Sequence, residues 1–276
     1  ASPAAKGATE LAASVKPLAW FHVAKCGTSL LNALIRLPGI CKGLPEDVLI
    51  HTLNHGGNPI VSFFSQYPPP EYCPDGFSFY GHHAGMGSLD KYEKYWKGHA
   101  VTMLRDPQQR IMSGWAANRH SWPVSETNPL PDDPVVYAKQ VSGCVAKMLV
   151  RPGDAGTYGG PCGEGPPPSR EEMEEAKRRL REGFAFVGLV EEWSLSMCLF
   201  HATFGGPCHA AEFMNTRMLH LELAAPPKLH NDSVLEGYVD PYDKEIWDLA
   251  QKIFWDRVRQ HGLSLEKCAP CFAQAE

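Results

Sequence analysis

Near-continuous apolar runs separated by amphipathic stretches set the framework of the chain. Residues 18–24 (LAWFHVA), 98–104 (GHAVTML) and 184–190 (FAFVGLV) have the length and composition of buried strands. A shorter run at 77–81 (FSFYG) alternates and reads as a further strand. Between them the spacing predicts helices. One covers 29–37 and is closed by Pro38, and one covers about 107–117, with Asp106 as its cap and Pro107 at its first position. A charged helix follows at 169–183, with a capping box from Ser169 to Glu172, pairs such as Glu174 with Arg178, and Gly183 as its stop. A helix over SLSMCLFHATFG comes next, and a last one covers 240–262, capped by Asp240, with Ile246, Leu249, Ile253 and Phe254 on its inward stripe. Strands that are apolar on both faces and alternate with helices imply an α/β fold, in which helices flank a central, mostly parallel sheet. A single domain over 18–265, between tails 1–17 and 266–276, is the expectation.

Two stretches break this rhythm. Residues 125–134 (SETNPLPDDP) and 151–168 (RPGDAGTYGGPCGEGPPP) are rich in Pro and Gly and read as long surface loops, a common source of lids and substrate walls. The 26 Lys and Arg against 31 Asp and Glu leave a formal net charge of −5, so no global basic field draws in nucleic acid. No apolar run is long enough for a membrane span, and the first ten residues lack the basic-then-apolar pattern of a signal peptide. Nine cysteines favour an oxidising secretory compartment over the cytoplasm, where they would remain as free thiols. With Cys26 free in its loop, eight remain to pair. A metal site is not expected, because the only C-x-x-C, Cys268 to Cys271, lacks a matching second pair.

Candidate chemistry falls at strand ends, where open α/β sheets bind ligands. In KCGTSL, Gly27 permits close backbone approach, the N–H groups of Cys26 to Leu30 converge, and Lys25, Thr28 and Ser29 add one charge and two hydroxyls. A following helix N-terminus makes this an anion cradle. It is not a nucleoside triphosphate-hydrolysing loop of the Walker A kind, which carries its Lys at the far end. In LRDPQQRIMSGW, Arg105 ends a strand and Ser113 lies two helical turns further on, a second phosphate site. Two anion sites at adjacent strand ends imply a ligand with phosphate at both ends.

Taken together, these elements resemble the sulfotransferases that use 3′-phosphoadenosine 5′-phosphosulfate (PAPS). AKCGTSLL is similar to that family's 5′-phosphosulfate loop, and RDPQQRIMS to its 3′-phosphate element R-D-P-x-x-R-x-x-S. FYGHH (79–83), FAFVGLVEEWSLSMCLF (184–200) and FMNTR (213–217) resemble stretches of the Golgi carbohydrate branch. The resemblance implies the P-loop-like sulfotransferase fold and PAPS as sulfonate donor. It places Lys25 on the leaving phosphate, Thr28 and Ser29 on the 5′-phosphate, and Arg105 with Ser113 on the 3′-phosphate. It makes His82, which follows Gly81 as in the family, the base that takes the acceptor's proton, with its neighbour His83 as the alternative.

The chain departs from that pattern in two places: Ala24 stands where the family has Pro, and Cys26 where it has a hydroxyl residue. A helix N-terminus lowers thiol pKa, so Cys26 as a nucleophile is a competing reading. Arg217 and the pair Glu191 and Glu192 are further candidates for the pocket. The expected acceptor is a small molecule bearing a hydroxyl or amine, enclosed by the loops and by Trp115, Trp122 and Trp193. A glycan hydroxyl in the Golgi lumen is the alternative, and a non-catalytic nucleotide- or glycan-binding protein on the same fold is another.

Overall fold

The computed structural model describes residues 17–45, 47–51, 59–74, 77–78, 83–153, 160–214 and 229–274. Four parallel strands form one sheet in the order β2-β1-β3-β4: β1 (Leu18–Trp20), β2 (Phe77–Ser78), β3 (Ala100–Leu104) and β4 (Phe184–Leu189). The longest pairing joins β3 to β4, from Ala100↔Phe184 to Leu104↔Leu189. At the centre, Ala19 pairs with Ala100 and Trp20 with Val101, so β1 and β3 point the same way as neighbours. β1 is shorter than its apolar run: residues 21–23 have left the strand although they stay buried, because the backbone already turns toward the following loop. The Thr102 hydroxyl donates to the Phe21 carbonyl at 2.8 Å and replaces a ladder bond at that exit.

The helices are α1 (Leu30–Leu34), α2 (Pro59–Gln66), α3 (Pro69–Tyr72), α4 (Leu89–Tyr95), α5 (Pro107–Ala116), α6 (Pro134–Gln140), α7 (Cys144–Val150), α8 (Arg170–Gly183), α9 (Trp193–Phe204), α10 (Pro241–Gln260) and α11 (Leu265–Gln274). α1 is shorter than expected and unwinds into turns from Ile35 onward. α5 starts as its sequence dictates: the Asp106 carboxylate accepts the Gln109 N–H at 3.0 Å, with Pro107 behind it. The capping box of α8 is present, but its ion pairs differ from the expected Glu174 with Arg178. Arg178 instead reaches Glu175 and Glu182, and Glu174 pairs with Lys177. Within α10, Ile246 and Phe254 are buried and Leu249 and Ile253 partly so, as the stripe predicts. Residues 266–276 read from sequence as a tail, but Leu265–Gln274 form α11, which two disulfides tie back to α9 and the turn after it.

The main core gathers both faces of the sheet, and a smaller one surrounds Ile111, Met112, Trp122, Tyr137 and Leu235. Four disulfides join Cys41–Cys73, Cys144–Cys162, Cys198–Cys268 and Cys208–Cys271, and Cys26 is free. They fit an oxidising, secreted or lumenal environment. Among the described residues no helix is long and apolar enough to cross a membrane.

Candidate functional site

The two polar motifs leave the same end of the two central strands. After β1 the chain makes a turn, in which the Cys26 N–H donates to the Val23 carbonyl at 3.2 Å. Lys25 and Gly27 both adopt left-handed backbone, at φ 66° and 74°. Such alternation turns successive N–H groups toward one concavity. Among the described residues the N–H groups of Gly27 and Thr28 make no hydrogen bond, while those of Leu30 and Leu31 are taken by the Gly27 and Thr28 carbonyls. Two bare amides, the hydroxyls of Thr28 and Ser29 and a half-buried Lys25 form a cradle with the donors a phosphate needs. Ser29 sits at the N-cap of α1 with no side-chain cap bond, and Leu30 begins the helix in the core.

Cys26 faces inward. It is buried, and burial pushes its thiol up to about 12, against the smaller opposing pull of Arg110 and Arg105. A buried thiol pushed up in this way is a poor nucleophile, which speaks against that reading of Cys26. Its N–H is already given to the Val23 carbonyl, and that of Leu30 to the Gly27 carbonyl, so the expected convergence of amides from Cys26 to Leu30 narrows to the middle of the loop.

At the end of β3, Arg105 is buried, and its Nε lies 3.8 Å from a Glu191 oxygen. The same oxygen accepts the Asp106 N–H at 3.1 Å. Burial raises the Glu191 pKa, and the hydrogen bonds and Arg105 oppose that rise. Glu191 is therefore a carboxylate that faces Arg105 and shares its charge, a pairing its position after β4 did not reveal in sequence. Ser113 lies half-buried two turns into α5. The motif's second arginine does something else: Arg110, fully inside, sits 3.7 Å from Asp240 and 3.4 Å from Asp243 and donates to the Val141 carbonyl. Asp240 also caps α10 and accepts from Ser142 and Gly143, and Asp243 accepts the Val145 and Ala146 N–H groups at the start of α7. Arg110 thus ties α5 to the end of α6 and to α10, and Asp243 carries the link on to the start of α7. Lys147, buried beside this cluster, is driven down to about 8 by burial against the pull of Asp243.

A row of three imidazoles runs from the cradle, of which the sequence offers only His83. The His22 ring stacks on Trp20 at 4.2 Å, and its Nε2 lies 3.2 Å from the Thr28 hydroxyl. His83 follows at 4.4 Å from His22, and His120 meets His83 edge to face at 5.0 Å. The Nδ1 of His83 is 3.0 Å from the His22 carbonyl. A carbonyl only accepts, so this nitrogen carries the ring proton and Nε2 keeps the lone pair. His120 is clamped through its backbone: its N–H donates to the Gly114 carbonyl, and the Tyr137 hydroxyl donates to its own carbonyl at 2.7 Å. Among the described residues six non-glycine residues have left-handed φ, and five of them (Lys25, His83, Asn118, Arg119 and Ser121) belong to these loops. Strain of that kind persists where the surroundings over-determine it, and it gathers at functional sites. No periodic pattern could have shown this row, since His22, His83 and His120 come from three separate loops.

His82, Arg217 and the rest of the 79–82 and 215–217 stretches lie outside the described residues. The expected aromatic enclosure is different in kind. Trp122 is buried in the second core, Trp115 carries Arg119 over its ring at 4.0 Å, and Trp193 packs behind the cradle with its Nε1–H on the Glu212 carbonyl. No family model matches the chain, and no curated protein is significantly similar to it.

Proposed function

We propose that the chain is a PAPS-dependent sulfotransferase acting on the hydroxyl or amine of a small molecule. The observation that carries this reading is the placement of two cationic anion-binding segments, Lys25 to Ser29 and Arg105 to Ser113, at the same end of the paired parallel strands β1 and β3. The bare amides of Gly27 and Thr28 fit a 5′-phosphate group, and Arg105 fits the distal 3′-phosphate. When bound, the nucleotide supplies an activated sulfonate on its 5′-phosphate.

The chain's own residues then divide the work. Lys25 and the cradle amides meet the negative charge that builds on the 5′-phosphate oxygen as the acceptor attacks in line. The sequence resemblance gives the proton-accepting role to His82 or His83. What supports His83 is its ring, oriented through Nδ1 by the His22 carbonyl with Nε2 as the basic site, while His82 lies outside the described residues. His22 holds both partners, Thr28 through its ring and His83 through its carbonyl. The net charge of −5 argues against a long polyanionic acceptor, which favours a small molecule. A glycan hydroxyl is the second reading, favoured by the four disulfides and the lumenal environment they fit.

Calorimetric titration with 3′,5′-bisphosphoadenosine beside 5′-AMP tests the reading. Micromolar binding that requires the 3′-phosphate is expected. Equal or absent binding of both nucleotides would sink it.

A further inference from the structure

A second cluster of donor groups lies behind the sheet, where α9, the 3-10 turn Ala210–Phe213 and α11 meet. One donor atom from each of His201, Cys208 and Glu212 lies within 4.8 Å of the other two. Two i,i+3 pairs converge here, Cys198 with His201 on α9 and Cys268 with Cys271 on α11. Cys198 and Cys268 are bonded to each other, so the donors that converge are those of His201, Cys208 and Glu212, with Cys271 joined to Cys208.

The details around His201 point the same way. Its Nδ1 lies 3.1 Å from the Gly205 carbonyl and so carries a proton. That is the support a metal-bound imidazole ordinarily has. Its Nε2 then faces a Glu212 oxygen at 2.7 Å, an approach of two electron-rich atoms that needs a cation between them. Glu212 is completely buried, and its other carboxylate oxygen has no hydrogen-bond partner. With Cys208 bound to Cys271, the cation between them is a proton.

We propose that this junction is a redox-gated zinc site: when the Cys208–Cys271 disulfide is opened, His201, Cys208 and Glu212 bind Zn²⁺, with Cys271 as the nearest additional sulfur. A dithiol supplies the two hydrogens that convert the disulfide to two thiols and itself becomes a disulfide. On metal uptake the Cys208 thiol releases its proton, and the proton held between His201 and Glu212 leaves to solvent. Imidazole, thiolate and carboxylate together form a donor set that Zn²⁺ accepts in tetrahedral geometry. The site is independent of the sulfonate reading, although the Glu212 carbonyl also holds Trp193 behind the cradle.

The test uses the whole chain, reduced with dithiothreitol, desalted without oxygen, and titrated with Co²⁺ alone and then Zn²⁺. One Co²⁺ per chain is expected, with thiolate-to-metal absorption and the visible bands of a tetrahedral ion, displaced by Zn²⁺. Affinity should fall at least tenfold in His201→Ala and in Glu212→Gln, should be unchanged in Cys41→Ser/Cys73→Ser, and should be lost in the oxidised chain. Unchanged affinity in both donor variants, or equal uptake by the oxidised chain, overturns the proposal. If the variants do not fold, X-ray absorption of the Zn²⁺-loaded wild type decides: a mixed shell of sulfur with nitrogen or oxygen supports it, and an all-sulfur or sulfur-free shell overturns it.

Discussion

Trp193 stands directly behind Gly27: a Cβ placed on this glycine would lie 2.9 Å from the indole Cζ3, with Met103 at 3.1 Å on the same side. The backbone there is also left-handed, at φ 74°. Gly27 is thus demanded twice, once by the cradle's backbone and once by the side chain packed against it. Gly27→Ala is expected to destabilise the protein by about 1–3 kcal/mol and to remove bisphosphate binding. In a Trp193→Ala background the part due to the indole should vanish while that due to Met103 stays, leaving a coupling of about 0.5 kcal/mol or more in a double-mutant cycle followed by urea unfolding. Zero coupling would mean that backbone conformation alone imposes the glycine.

The two arginines of RDPQQR should separate cleanly. Arg105→Ala is expected to weaken 3′,5′-bisphosphoadenosine binding by about 1.5–3 kcal/mol with little effect on unfolding, the scale of a hydrogen bond to a charged group. Glu191→Gln removes the carboxylate that shares Arg105, so binding should tighten a few-fold. Arg110→Met leaves two buried carboxylates uncompensated and should lose about 3–5 kcal/mol of stability, most of it regained when Asp243→Asn is added. Calorimetry and denaturant titration on the same four proteins check this. Equal loss of binding in both arginine variants would contradict the division.

The division also marks where the sequence stops being informative. The positions of the strands, the caps of α5 and α10 and the capping box of α8 follow from local rules, because each is decided within a few residues; the order β2-β1-β3-β4 does not. The cradle is legible for the same reason, since Lys25 to Leu30 are contiguous. Long-range partners are not: Arg110 meets Asp240 and Asp243 from more than a hundred residues away, and either arginine could have been the phosphate ligand on spacing alone. Cys26 shows the limit from the other side. A helix N-terminus argues for an acidic thiol, but the inward turn of the loop buries it, and desolvation outweighs both nearby arginines.

Cys26 should accordingly be inert. Native protein exposed to iodoacetamide at pH 8 should remain unlabelled at Cys26 on a timescale that fully labels it after unfolding in guanidinium, because a pKa near 12 leaves almost no thiolate. Cys26→Ala should keep bisphosphate binding within a few-fold of wild type. Rapid native labelling, read by peptide mass spectrometry, would place the thiol at the surface instead.

The histidine assignment makes a kinetic claim. His83→Ala should lower kcat by roughly 10²–10⁴, the range of general-base catalysis, while leaving bisphosphate binding nearly intact. His22→Phe keeps the stack on Trp20 and the carbonyl that orients His83 but loses the contact to Thr28, so it should weaken nucleotide binding more than it lowers kcat. His82→Ala serves as the comparison. If it abolishes turnover while His83→Ala does not, the base is His82 and His83 is structural.

His201 gives the stability a pH dependence of known sign. Burial alone would lower its pKa, but the hydrogen bond to Glu212 and the charge of that carboxylate outweigh burial and raise it above the usual 6.5. The folded chain therefore holds this proton more tightly than the unfolded chain does. Between the two pKa values the folded state binds more protons, so the slope of unfolding free energy with pH is negative there. The pair's contribution is fully present below pH 6.5 and is lost as pH rises through the folded value. Other groups titrate nearby in pH, so the difference between wild type and His201→Gln is the quantity to follow. With the disulfides intact, urea unfolding at a series of pH values from 5 to 9 should show a gap between the two proteins that is widest at the acid end and narrows with rising pH. A gap that widens toward alkaline pH would mean that His201 is neutral in the folded protein.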